Sequence, residues 1–512
     1  MTGLSPIDYR LMLPMVELTI FALGLLLIDL WIPREWKWLN AAGAFIGVLF
    51  SALCVWQIQA ILPPRGQIGF YNSLLVDRFA IYFWYLFLAL AALTILGSSR
   101  YLDLENEHRG EYYALLLISV VGMMSMAAGI DIVLMFVGLE LTLIPAYLFA
   151  GFRRRHNQDQ EKDGQTRDAR AREAARKFVF HGLFSSAIFA YGLSLLYGFS
   201  GSTNLAHIVR ALGAVNPRDP VVIIALLTTM TGLLSKIAAV PLHHWAPAAS
   251  ETAPTTISGY ITLVVAAAWV LFLRIVLFGM LPLRAVYAPV LTVVAIATLT
   301  LATVAALMQT NTKRLLAYSA IVHTGYILLS FSVIGSERIA SPAFFDALKA
   351  MLIYLPVLAL MNLGAFLVLA ALRQGDVLGN DLADLTGLFH RSPFVAVTML
   401  IFLFSLAGIP PAAGYLGKYY IFRSLMECGH RSLAAAGVVF SLLGLLYYWK
   451  LAKPIFTRQP QPTLPLPVSF GMRAALAITA LATLVIGAYP RPLITLVSWV
   501  LGIAQATHIA PK

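Results

Sequence analysis

The stretch Thr231–Ser258, TGLLSKIAAVPLHHWAPAASETAPTTIS, sets one lysine, Lys236, inside an otherwise apolar helical pattern. Pro241 follows five residues later, then the His243-His244-Trp245 cluster, Pro247 and Pro254, before a new apolar run begins. A charge at that depth in a membrane protein is costly, and by default it marks a path for ions or protons. A helix broken by proline beside it frees backbone groups that only a polar cavity or surrounding protein can satisfy. If the rest of the chain spans a bilayer, this stretch is where protons move.

The composition supports a bilayer. Of 512 residues, 60% are hydrophobic and 12% charged, about half the charged share of a soluble chain. Apolar runs of the length that crosses a bilayer core, about 20 residues, recur from end to end. The fold class is therefore an all-α polytopic membrane protein, with fourteen candidate spans and no sizeable soluble domain. The net charge of +12 needs no nucleic acid, because basic residues concentrate in the loops on one membrane face. Cys54 and Cys428 lie in or beside apolar segments with no CxxC pair, so neither a disulfide framework nor a metal cluster is expected. No basic leader with a small-residue cleavage site precedes the first apolar run, which is expected to be retained as a helix.

Span seven covers 220–245, span eight 256–279 and span twelve 393–426. A last apolar piece, Leu493–Ala506, is short for a crossing and is expected to lie along the surface or pack on the bundle. An even number of spans places both termini on one side. With that side outside, more than half of the 36 lysines and arginines fall in inner loops, as expected for cytoplasmic segments. The charged run from Arg153 to Arg176 has no apolar periodicity and reads as a solvated loop. Span twelve repeats the design of span seven: Ser405-Leu-Ala-Gly-Ile-Pro-Pro411 interrupts it, and Lys418 follows. Five spans separate the two, an odd offset that inverts their orientation. Interrupted helices at matching places of inverted repeats point to a transport site near the midplane.

Few titratable residues lie within the spans. Glu140 sits near the middle of span five, where a carboxylate is rare unless paired or transporting. Desolvation disfavours the charged form of any such group, and an opposite charge nearby favours it. A change in the Glu140–Lys236 distance would thus move a proton, whereas a permanent pair would be merely structural. Lys177 opens span six and has two readings, a relay group or a lysine snorkelling to the interface. His243, His244 and His323 can relay protons near neutral pH or serve as helix-interface histidines. Lys349, three residues after Asp346, suggests an ion pair at the membrane edge. No dinucleotide fingerprint follows a strand, and Gly414–Lys418 has the wrong spacing for a P-loop.

Several segments resemble the antiporter-like membrane subunits of respiratory complex I, the NADH–quinone oxidoreductase. They are GEYYALLL from Gly110, GLEL from Gly138, AGFRRR from Ala150 and EAARKF from Glu173. LYGFSGSTNL from Leu196, QTNTKRLLAYS from Gln309, SLAGIP from Ser405 and GKYY from Gly417 continue the series in collinear order. The resemblance implies helices 1–3 over 1–111, a first five-helix repeat over 112–280, an inverted repeat over 281–458, and a final helix and tail over 459–512. It also implies proton-transfer roles for Glu140 and Lys236 as a coupled pair, Lys177 heading the sixth helix, His243 and His323 on a hydrated axis, and Lys418 on the exit side.

Two positions depart from the family pattern. The usual lysine of the eighth helix has only Val265 or Ala266 in its place, and the loop after span seven reads Ala246-Pro247-Ala248 where the family has Thr-Pro-Asp. Water, Tyr260 or His323 would have to bridge the gap between Lys236 and Lys418.

The family reading implies no cofactor in this chain. NADH, flavin, iron–sulfur clusters and quinone are expected in partner subunits, with other membrane subunits on both flanks, in a bacterial inner (plasma) membrane. The alternatives are a subunit of a cation/proton exchanger or membrane-bound hydrogenase, and a scaffold that braces the complex without conducting.

Overall fold

The computed structural model describes residues 5–104, 109–151, 161–339, 341–373, 379–457, 466 and 468–506. The chain begins with α1 (Pro6–Asp29) and α2 (Trp38–Ile61), then a short antiparallel hairpin of β1 (Gln67–Gly69) and β2 (Leu74–Val76). There follow α3 (Arg78–Leu104), α4 (Gly110–Ala128), α5 (Ile132–Ala150), α6 (Glu161–Ser200) and α7 (Leu205–Ala214). The first interrupted crossing is α8 (Pro220–Lys236) with α9 (Trp245–Thr252). After it come α10 (Thr255–Leu273), continued by a π turn at Arg274–Gly279, then α11 (Arg284–Met308), α12 (Thr312–Ser336) and α13 (Pro342–Ala371). A single-turn α14 (Leu388–Arg391) leads into the second interrupted crossing, α15 (Pro393–Ala407) with α16 (Ala413–Glu427). The chain closes with α17 (Arg431–Phe456), α18 (Phe470–Ala488) and α19 (Arg491–Ala506).

Among the described residues, twelve helices are long and apolar enough to cross a membrane unbroken. With the two interrupted crossings they make the fourteen spans expected from the sequence. Burial identifies the centre: the apolar windows of α12 and α13 are 94% buried and that of α10 is 83%, against 33% for α1 and 28% for α17. The three central helices therefore pack against protein, and the outer ones turn apolar faces to lipid. Local chemistry fixes the ends. Asp219 caps α8 through Val221 N at 2.8 Å with Pro220 in the first turn, and Asn311 caps α12 through Arg314 N at 3.0 Å. Each side chain satisfies a donor that the first turn leaves free.

The two interruptions are built alike. α15 stops at Gly408, whose φ of 85° lies in the left-handed region that glycine adopts without cost. Its N–H bonds Ser405 O at 2.9 Å. After α8, the left-handed turn falls on Ala238 at φ 55°, and Ala239 N reaches back to Leu234 O at 2.9 Å.

Several features differ from the sequence reading. The charged run does not remain a loop: α6 begins at Glu161 and continues through the span for 40 residues. Alanine, arginine, glutamate and lysine are strong helix formers, so the apolar helix extends into the charged run. The part of that run before Glu161, starting at Arg153, lies outside the described residues. The hairpin and the surface helix α7 were missed, being too short for a periodicity argument. Lys349 makes no ion pair with Asp346 among the described residues; its Nζ sits 5.9 Å from the Tyr420 ring instead. The last apolar piece packs on the bundle through Val497 and Val500, and Arg78 donates to Trp499 O at 3.0 Å.

One tie spans the N-terminal half. Arg274, 0% exposed, meets Asp77 through two bonds of 2.7 and 2.8 Å and donates from Nε to Ala127 O at 2.9 Å. It fastens the π turn to the start of α3 and the end of α4.

Candidate functional site

Lys236 closes α8 and is 4% exposed. Its Nζ donates to Gly182 O at 2.9 Å and to Ser186 Oγ at 2.8 Å, both on α6. A Cβ at Gly182 would collide with the Tyr147 hydroxyl, so glycine is what lets α6 present that carbonyl beside α5. Glu140, on α5, is not in contact with Lys236: among the described residues no ion pair joins them. The Glu140 Oε1 is buried with no hydrogen-bond partner among the described residues.

His181 takes part in this site without having been singled out from the sequence. Its Nε2 lies 2.9 Å from Ser235 Oγ, one residue from Lys236. The signal was its place four residues after Lys177 on the same helix. Trp245 closes the site from α9, donating to Ser235 O at 2.8 Å and stacking on Phe178 at 4.9 Å. Lys177 stands apart. Its side chain is 71% exposed and pairs with Glu173 at 2.5 Å, and this bond holds the Glu173 carboxyl below the usual glutamate range.

Hydroxyls of neighbouring helices satisfy the backbone that the first break leaves open. Thr324 Oγ1 donates to Ile237 O at 3.1 Å, and Val240 N donates to Thr298 Oγ1 at 3.1 Å. His243 lies in the break, buried, with its ring 4.2 Å from that of His244 and 6.3 Å from that of Tyr318. Its Nδ1 has no hydrogen-bond partner among the described residues.

Lys418 is 5% exposed and reaches back across the second break. It donates to Leu406 O at 3.1 Å, Ala407 O at 3.0 Å and Ser441 Oγ at 3.1 Å. The first two are carbonyls at the end of α15, where a helix carries partial negative charge. The Tyr326 ring lies 5.0 Å from its ammonium. His323, 1% exposed, sits between two tyrosines: Nδ1 is 2.5 Å from Tyr354 Oη and Nε2 is 3.1 Å from Tyr448 Oη. Tyr448 in turn bonds Ser319, extending the chain along α12. Tyr354 fits against α16 only because residue 417 is glycine. Tyr260 faces elsewhere, its hydroxyl bonded to Ser119 on α4.

The structure thus gathers two lysine sites, Lys236 with Glu140 and His181, and Lys418 with Tyr326 and Ser441, with the His323 chain lying toward the second. Lys177 belongs to neither. Among the described residues, the lysine of each site is held by neutral acceptors alone, two at Lys236 and three at Lys418. A buried ammonium without a contacting carboxylate is costly to keep charged, so either lysine can give up its proton without breaking an ion pair. Among the described residues no group of three His, Cys, Asp or Glu side chains is placed to hold a metal ion.

Comparison with known proteins yields consistent matches. The profile of a family described as NADH:quinone oxidoreductase/Mrp antiporter, transmembrane, matches residues 129–444. The NADH-quinone oxidoreductase subunit N 1 of Koribacter versatilis is 48% identical, over 99% of this chain and 98% of its own. A chain of respiratory complex I from Thermus thermophilus with bound aureothin superposes with a TM-score of 0.75 at 26% identity, covering 94% of this chain and 98% of that one. A chain of the Mrp complex from a Dietzia species gives 0.75 at 21% identity, covering 97% and 98%, and so shares the fold.

Proposed function

Because the chain belongs to the NADH:quinone oxidoreductase/Mrp antiporter transmembrane family, we propose that it is subunit N of a proton-translocating NADH–quinone oxidoreductase. In this reading it lies in the bacterial inner membrane with both termini outside, flanked by other membrane subunits. Redox centres and quinone belong to its partners. Residues 112–280 and 281–458 act as inverted halves, one around each interrupted helix.

One observation carries the reading: each interrupted helix holds a buried lysine bonded, among the described residues, only to carbonyl and hydroxyl oxygens. A contacting carboxylate would fix the charge, whereas neutral acceptors leave it free to change. Glu140 is the group that sets the first lysine's charge, acting through space and not by contact. When an event in a neighbouring subunit draws the Glu140 charge toward Lys236, the charged form is favoured and the neutral amine takes up a proton to become the ammonium. When the charge withdraws, the proton leaves along the axis toward His323 and Lys418. The tyrosine hydroxyls on either side of His323 orient the imidazole, so that one ring nitrogen donates while the other accepts.

The test is Lys236→Ala in the assembled complex, reconstituted into vesicles, with protons counted per NADH oxidised. A lowered proton yield with assembly intact is expected. An unchanged yield in a fully assembled variant overturns the proposal. An exchanger subunit, the second reading that the Mrp fold likeness supports, would instead show proton movement driven by a cation gradient without NADH.

A further inference from the structure

A cleft of about 630 Å³ opens where the start of α2, the end of α3 and the start of α18 meet. Its volume is that of a small-molecule site, roughly 300–1,000 Å³, and no residue of either lysine site lines it. α18 can close the third side because residue 471 is glycine: a Cβ there would stand 2.7 Å from Leu96 O.

The wall is sorted by depth. α2 and α3 are consecutive crossings and run in opposite directions, so Phe45 of α2 lies level with Ile95 and Leu96 of α3, toward the membrane interior. Ser99, Arg100, Asp103 and Ser469 line the end nearer the membrane surface. Trp38, half exposed, stands at that same end, the level that tryptophan favours at a membrane interface. Apolar below and polar above, the cleft has the polarity of one phospholipid. Its depth excludes a spanning helix from a partner. Trp38 to Phe45 covers about 11 Å and Ile95 to Asp103 about 12 Å, at about 1.5 Å per residue, whereas the hydrocarbon core is about 30 Å thick.

The charges select the headgroup. Opposite charges three residues apart on a helix ordinarily meet, yet among the described residues Arg100 makes no hydrogen bond or ion pair. Its guanidinium can therefore take a phosphate through two parallel bonds. Positions three apart stand about 5–6 Å from each other at Cβ, a spacing that the two-carbon link between phosphate and amine can match. A headgroup without the amine would set its phosphate beside the Asp103 carboxylate uncompensated, and free phosphate would leave the apolar wall uncovered.

We propose that the cleft binds a phospholipid carrying a primary amine, with its phosphate on Arg100, its ammonium on Asp103 and its upper acyl chains against Phe45, Ile95 and Leu96. The lipid then fills the space between α2, α3 and α18. This needs a bilayer but no proton transfer, so its outcome and that of Lys236→Ala are independent.

The experiment places the assembled complex in vesicles with a phosphatidylethanolamine that carries a photoactivatable diazirine high on one acyl chain, and maps the labelled peptides by mass spectrometry. Label is expected on 38–45 and 95–103, displaced by unlabelled phosphatidylethanolamine and not by phosphatidylglycerol or inorganic phosphate. Arg100→Gln is expected to lose the label, and Asp103→Asn to let phosphatidylglycerol displace it. If Arg100→Gln does not assemble, Ala42→Trp, which fills the cleft and keeps both charges, is expected to lose the label instead. The site is overturned by wild-type complex without label on these segments, or by undiminished label in an assembled Arg100→Gln or Ala42→Trp variant. Displacement by phosphatidylglycerol or inorganic phosphate as effective as by phosphatidylethanolamine overturns the assigned headgroup.

Discussion

Lys418 donates to the carbonyl oxygen of Ala407 at 3.0 Å, so a lysine on the second segment of an interrupted helix caps the last turn of the first. Lys418→Met keeps much of the volume but leaves the Leu406 and Ala407 carbonyls with one partner fewer. Each buried acceptor left unsatisfied costs about 1–3 kcal/mol. A lower unfolding temperature of the purified complex is expected, together with reduced proton yield. A variant with wild-type thermal stability would show that the bond contributes nothing to holding the halves together.

Gly408→Ala tests the same junction from the backbone side. A Cβ there would stand 2.9 Å from Lys418 Cδ, and a left-handed φ costs a non-glycine residue roughly 1–2 kcal/mol. Destabilisation of at least that size is expected in thermal unfolding.

Ala238 offers the opposite case. It occupies the left-handed region at φ 55°, so Ala238→Gly relieves a cost of roughly 1–2 kcal/mol against a loss of about 0.5–1 kcal/mol from the added freedom of the unfolded chain. A small net gain in unfolding temperature is the expected result. A clear loss would mean that the Ala238 methyl contributes more by packing than its backbone conformation costs.

The Arg274–Asp77 pair predicts a non-additive series. Removing either partner leaves a buried charge unpaired, which costs about 3–5 kcal/mol. Asp77→Leu alone and Arg274→Met alone should each reduce assembled subunit in the membrane. The double substitution should recover a large part of it, because no lone charge remains. Equal or additive losses, measured by quantifying assembled complex, would refute a charge-pair origin.

The Glu173–Lys177 pair lies at the surface, so salt should screen it. With its folded-state carboxyl below the ordinary glutamate range, its contribution is present above that range and is lost as pH falls through the lowered value. Glu173→Gln should leave the unfolding temperature near neutral pH unchanged within error at high salt.

The fold was legible because its decisive signals are local. An apolar run of spanning length declares a helix by itself, and Pro241, Pro410 and Pro411 declare the interruptions. Lys236 and Lys418 stood out because charge is rare in such runs. What escaped depends on partners far along the chain. Nothing local in the sequence marks Arg274, and only its approach to Asp77 makes it a buried clasp. His181 gains meaning from Ser235, and Tyr354 and Tyr448 from His323, each brought in by another helix. Glu140 and Lys236 were both identified, but sequence carries no information on their separation, and the structure keeps them out of contact. The charged start of α6 reads as a solvated loop by its polarity, whereas its residue types favour helix.

The backward reach of Lys418 also couples position to chemistry. One residue's rise in a helix is about 1.5 Å. If α16 slid that far along its axis away from α15, both carbonyl bonds would exceed hydrogen-bonding range. The ammonium would lose two of its three acceptors in a single movement. Displacing the helix would then change, in the same event, what it costs to carry charge on its lysine.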